Sequence, residues 1–187
     1  MNKDYFVKLY SMYIQRPGAA ELLAWLETTD FFIAPASTRF HGDYEGGLVE
    51  HSIHVWEELV RILKAYPEVK VSAETAAIVS LLHDLCKIGC YKVELRNTKV
   101  NNTWVKKPVY VFNEDFCYGG HGSKSVYLVQ KHMNLTEQEA VAINCHMGFS
   151  DRNPGDYSLG GAYEQYPLAW LLHVADESAT FLRETKE

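Results

Sequence analysis

"SLLHDLCKIG", residues 80–89, decides how this chain is read. It sets His83, Asp84 and Lys87 into an apolar run where a core helix takes leucines. An imidazole or carboxylate hidden from water is costly unless it is paired or bound to a metal. Two readings are open here: a local salt-bridge cluster, or half of a site completed elsewhere in the chain. The surrounding "SAETAAIVSLLHDLCK" (72–87) predicts one helix, opened by Ser72 with Glu74 in its first turn and running to Lys87. On that helix Ala76, Val79, His83 and Lys87 share a stripe, and Asp84 lies about 100° further round, within reach of the same side.

Working outward, the segment after Gly46-Gly47 predicts a long amphipathic helix from Leu48 to Ala65, closed by Pro67. Leu48, His51, Val55, Leu59 and Ile62 step by three and four, so His51 faces inward. His54 shares its face with Glu50, Glu58 and Arg61 and reads as a solvated His–Glu pair. Downstream, helices are predicted over 122–133, over 136–147 with Thr136 and Glu139 as a capping box, and over 166–184. His121 opens the first of these behind two glycines, and His146 closes the second. Asp176 sits four residues after Leu172 on the otherwise apolar third. His132 and His173 have weaker claims; His173 lies about one turn before Asp176.

The rest of the chain fits around these segments. Residues 4–15 and 19–29 predict two N-terminal helices, and 30–47 a loop. Residues 91–112 mix β-branched and aromatic side chains around an Asn pair, which predicts a β-hairpin carried on the helical body. "GFSDRNPGDYSLGGAYEQ" (148–165) reads as a polar, Gly/Pro-rich loop of the kind that is often functional. The chain of 187 residues is expected to form one domain.

Composition narrows the function. Net charge is −6 and no basic block is present, which argues against a surface for long duplex nucleic acid. Cys86, Cys90, Cys117 and Cys145 form no C-x-x-C pair and are expected to be free thiols. No apolar run reaches membrane-spanning length and no signal-peptide core is evident, so a cytoplasmic protein that does not engage membranes is expected. Against that background His51, His83, Asp84, His121, His146 and Asp176 all fall on buried faces or at helix ends. Together they suit nitrogen and oxygen coordination of a first-row transition metal, which would remove the burial penalty for all of them at once.

The order His51 … His83-Asp84 … Asp176 resembles the H…HD…D pattern of the HD-domain metal-dependent phosphohydrolase superfamily. The resemblance rests on three contexts, "GGLVEHS" (46–52), "LLHDLCKIG" (81–89) and "LLHVADESA" (171–179), and spans about residues 35–180. His121 and His146 between HD and the last Asp look like the H…HD…H…H…D variant that holds two metals. The entry segment 35–52 is also similar to that of HD domains in some bacterial 3′→5′ exoribonucleases and conjugation-associated proteins. The resemblance implies an all-α HD-domain helical bundle, with the hairpin at about 91–112 as a small β insertion.

It also implies one or two divalent transition metals, drawn from Fe, Mn, Co, Ni and Zn. His51, His83, Asp84 and Asp176 would hold the first, and His121 and His146 the second, with Asp84 bridging. Asp84 and Lys87 are the expected catalytic groups; Lys87 is placed to meet a phosphate oxygen or to pair with a carboxylate. Arg39, His41, Lys124 and Arg152 are candidate substrate contacts. The activity implied is metal-dependent phosphohydrolysis, as a phosphomonoesterase or phosphodiesterase, on a nucleotide or short oligonucleotide. The partner expected is therefore a phosphorylated small molecule or short oligonucleotide, with no duplex nucleic acid. The alternatives are a non-catalytic nucleotide- or metal-binding HD-like module and, less favoured, a diiron oxygenase.

Overall fold

The helix that carries His83 stops one residue short of it. In the computed structural model, which describes residues 2–38, 42–100, 102–113, 120–151 and 156–184, the eight α-helices run α1 (Asn2–Tyr13), α2 (Ala19–Glu27), α3 (Gly47–Ala65), α4 (Ala73–Leu82), α5 (His121–Gln130), α6 (Glu137–Cys145), α7 (Ser158–Gln165) and α8 (Pro167–Ser178). A two-stranded antiparallel hairpin, β1 (Tyr91–Val100) and β2 (Thr103–Phe112), is inserted between α4 and α5. The fold is therefore helical with one small sheet, as expected. No helix is long and apolar enough to cross a membrane, among the described residues.

Buried apolar side chains of all eight described helices form one cluster, and the helix faces that carry the histidines line its rim. In α3, Leu48, Val55 and Leu59 are buried on the same side as His51, so packing the apolar stripe also drives the imidazole inward. Ser72 caps α4 by accepting the Thr75 N–H, and Thr136 with Glu139 forms the expected capping box on α6. Cys86, Cys90 and Cys145 are buried and in no disulfide among the described residues, and Cys117 lies outside those residues.

Three expectations are corrected. First, the helix over 72–87 breaks: α4 ends at Leu82, and Leu85–Lys87 form a 3-10 turn. Tertiary partners hold the break. The Cys86 N–H donates to Ser125 Oγ (3.0 Å), Lys124 Nζ donates to the Cys86 carbonyl (2.6 Å), and the Gly89 N–H donates to the Asp30 carboxylate (3.0 Å). Second, the predicted loop over 148–165 contains α7. Gly160 and Gly161 lower its intrinsic helix propensity, but fully buried Leu159 and partly buried Ala162 and Tyr163 supply the packing that propensity lacks. Third, α8 ends at Ser178 and passes into a π-helical turn, Ala179–Arg183. The wider turn carries Arg183 onto Glu57 (2.6 Å) and Glu184 onto α3.

Two glycines bring the site-bearing helices together. A Cβ at Gly122 would lie 2.7 Å from the Asn144 Cα, so only glycine lets α5 approach α6 this closely. Gly148 adopts φ +59°, and a Cβ there would lie 2.6 Å from the ring of His173.

Candidate metal centre

His51 comes from α3, His83 caps the end of α4, Asp84 leads into the 3-10 turn, His121 opens α5, His146 caps α6 and Asp176 lies near the end of α8. The fold brings all six to one place. His51 Nε2 is 3.0 Å from Asp176 Oδ1, 3.3 Å from His83 Nε2 and 3.8 Å from Asp84 Oδ2. His83 Nε2 is 3.6 Å from Asp84 Oδ2 and 4.0 Å from Asp176 Oδ1. On the other side, His121 Nε2 is 2.7 Å and His146 Nε2 3.5 Å from Asp84 Oδ1. Asp84 thus turns one oxygen toward His51 and His83 and the other toward His121 and His146.

The backbone fixes which ring nitrogens face inward. His83 Nδ1 lies 2.8 Å from the Ser80 carbonyl and His146 Nδ1 2.6 Å from the Ile143 carbonyl. A carbonyl only accepts, so each Nδ1 carries its proton and each Nε2 can present a lone pair to the centre. Both helices end at these residues, which leaves the carbonyl three positions back available. His146 Nε2 is buried and has no hydrogen-bond partner. An orphaned imidazole nitrogen aimed at a carboxylate-rich centre is what a metal ligand looks like without its ion.

Charges are arranged to match. Burial works against a protonated His51, but hydrogen bonds to Asp176 and Glu184 outweigh it and lift its pKa to about 9. Burial drives His83 down to about 4, so it is neutral at pH 7. Burial also opposes ionised Asp84, yet Lys87, His83 and the hydrogen bond from His121 hold its pKa well below the usual carboxylate range. Asp176 is likewise lowered, its burial outweighed by His51. A divalent ion takes neutral imidazoles and ionised carboxylates; His83, Asp84 and Asp176 already stand in those states, and His51 gives up its Nε2 proton when an ion takes its place. Three combinations bring ligand atoms within 4.8 Å of one another: His51 with His83 and Asp84, His83 with His146 and Asp176, and Asp84 with Cys86 and His121. The nitrogen and oxygen donors fit a first-row transition metal.

Lys87 settles on a carboxylate: its Nζ is 2.6 Å from Asp84 Oδ2. In a 3-10 turn residues three apart eclipse, which places the ammonium over the acid. Burial disfavours its charge, but Asp84 more than compensates and raises its pKa. Lys87 also lines a cavity of about 400 Å³ that opens over Asp84, His121 and Asp176, with Tyr91, Met147 and Phe181 in its wall.

Other expected contacts fall differently. Lys124 is buried, its Nζ donates to the Cys86 carbonyl, and it is not among the residues that line the cavity. Arg39, His41 and Arg152 lie outside the described residues. His54 is not a solvated partner of Glu50 or Glu58: its Nδ1 is 2.6 Å from Glu184. His173 stands behind the centre, with Nδ1 2.7 Å from the His146 carbonyl. Glu184 is the residue that sequence reasoning missed. Its carboxylate accepts from His51 Nδ1 at 3.1 Å, the arrangement that orients a metal-bound histidine.

Residues 48–180, well over half of the chain, match the family model described as HD domain. Searches of curated proteins and of solved structures found no match. That family is a superfamily of metal-dependent phosphohydrolases whose members bind divalent metals. The match covers every element that carries His51, His83-Asp84, His121, His146 and Asp176, and with that the chain belongs to the HD domain family.

Proposed function

We propose that the protein is a metal-dependent phosphohydrolase that cleaves a phosphoester of a nucleotide or short oligonucleotide. The observation that carries this is the division of Asp84 between two histidine pairs, with His146 Nε2 buried and unpartnered beside it. His51, His83, Asp84 and Asp176 would hold one divalent ion, and His121 and His146, sharing Asp84, a second. Ions held there supply Lewis acidity and water acidified toward neutral pH.

The chain's own residues support the rest of the chemistry. Glu184 fixes the ring of His51 through Nδ1. Ser80 and Ile143 fix His83 and His146 in one tautomer, so no proton need leave before Nε2 binds. Lys87 keeps a positive charge at the cavity floor, where a phosphate oxygen competes with Asp84 for its ammonium. Apolar walls from Met147 and Phe181 limit access of bulk water and suit a base or sugar face. Hydrolysis adds one water across a P–O bond and leaves a phosphate on one product and a hydroxyl on the other.

The test is turnover by the manganese-loaded protein on a panel of nucleotides, cyclic dinucleotides and short oligonucleotides. Phosphate or nucleotide release that disappears in Asp84→Asn, with the fold intact by circular dichroism, is the expected result. No turnover of any member, by protein shown to contain metal, would overturn the proposal.

A further inference from the structure

The hairpin has a face that the described residues leave largely uncovered. Cross-strand pairing sets Tyr91 opposite Phe112, Val93 opposite Tyr110, Leu95 opposite Pro108, Asn97 opposite Lys106 and Lys99 opposite Trp104. Directly paired residues share a face, so the aromatic residues of the ribbon all stand on one side. Val93, Leu95, Trp104 and Phe112 are exposed there, Trp104 at 69%. Two ten-residue strands extend about 30 Å.

The charge of this ribbon is opposite to that of the molecule. Residues 91–112 hold Lys92, Arg96, Lys99, Lys106 and Lys107 against Glu94 alone, a net +4. The whole chain carries −6, so everything outside the ribbon carries −10. Lys99, Lys106 and Lys107 have no ion-pair partner among the described residues, and Lys99 and Lys106 stand on the aromatic face. Asp43 and Glu45 act on Tyr110 near the base. The outer part, from Asn97 to Lys106, carries Lys99 and Lys106 and no carboxylate. At the inner end the face runs into the cavity: Tyr91, whose ring meets Phe112 edge-on at 6.5 Å, lines it together with Asp84 and Lys87.

We propose that this ribbon is a platform for single-stranded oligonucleotide, which it leads into the cavity over Asp84. Bases stack on Trp104 and its aromatic neighbours while phosphates meet Lys99 and Lys106, the pairing of π-faces and cations that unpaired strands require. Like charge opposes the symmetric alternative, a second copy docked ribbon to ribbon. A second copy pairing ribbon to ribbon would set +4 against +4. The cavity, at about 400 Å³, has room for a nucleotide and none for a duplex. This names the substrate class of the same site, and for the fate of the strand it rests on the phosphohydrolase proposal.

The experiment uses the full metal-loaded chain and two exposed ribbon variants, Trp104→Ala and the double Lys99→Glu/Lys106→Glu. Binding is read by fluorescence anisotropy with a terminally labelled single strand of about 12 nucleotides and with its duplex. Turnover is read with bis(para-nitrophenyl) phosphate, which needs only the metal pocket. The wild type is expected to prefer the single strand. Each variant is expected to weaken that binding by roughly tenfold or more. The double variant should also lower the salt slope by about 1.4, two contacts at about 0.7 each, and leave turnover of the small diester unchanged. Equal affinity in wild type and variants, or no preference for the single strand, overturns the platform. So does a change of self-association in Trp104→Ala with strand affinity intact, which makes the face a dimer surface. Ribbon-dependent strand binding without turnover of the small diester supports the platform and counts against the hydrolase alone.

Discussion

His51 is held at both ring nitrogens by carboxylates, Glu184 at Nδ1 and Asp176 at Nε2. Glu184 acts on the centre only through His51, so Glu184→Gln is expected to weaken metal affinity about 10- to 100-fold, read by competition with a chromogenic chelator. Unchanged affinity would remove Glu184 from the centre. The same histidine sets a pH signature in metal-free protein. Its folded pKa of about 9 exceeds the ordinary 6.5, so its contribution is complete below pH 6.5 and lost as pH rises through about 9. His83 is displaced the other way, to about 4, and costs stability as pH falls from 6.5 toward 4. Chelator-treated protein should therefore show a Tm that declines from pH 6.5 toward 9, and metal-loaded protein should not, since an ion replaces that proton. A flat Tm over this range in the stripped protein would contradict the charge assignment.

Elements place these residues, and elements explain what a single sequence discloses. His51, His83, His146 and Asp176 were legible because each lies on, or ends, a helix whose apolar period announces itself, and Asp84 follows His83 directly. Glu184 was not legible: an α-helical count from Asp176 does not allow for the π turn over Ala179–Arg183 that changes its phase. The break after Leu82 was hidden because its reward, the bonds from Ser125 and Lys124 to Cys86, comes from a helix almost forty residues away. α7 was hidden behind Gly160 and Gly161, whose weak propensity is overridden by burial of Leu159. Between elements, Arg16 joins the segment after α1 to α4 and α6 by pairing with Glu74 (3.2 Å) and Glu139 (2.7 Å). Burial opposes the charge of Glu139, yet Arg16 and the Thr136 cap outweigh it and lower its pKa. Its contribution is thus present above the ordinary glutamate pKa of 4.5 and lost as pH falls through the lower folded value. Glu139→Gln should cost about 3 kcal/mol at pH 7 and flatten the acid limb of a urea-unfolding series; a loss that is constant with pH would contradict the linkage.

At the scale of the whole molecule, one core packs the helices so that six ligand-type side chains, from five helices and the turn after α4, meet at its rim. The α5–α6 approach through Gly122 is one steric condition on that meeting. Gly122→Ala should cost about 2 kcal/mol from overpacking. It should also reduce metal bound at the His121–His146 side more than at the His51–His83 side, measured as a fall from two equivalents toward one. A fall of both together would show that the two sides do not separate. The centre itself is tested most directly by elemental analysis of the purified, metal-reconstituted protein beside folded Asp84→Asn. The account predicts one or two equivalents of a divalent transition metal in the wild type and almost none in the variant. Metal-free wild type after reconstitution, or a variant that keeps its full complement, would contradict it.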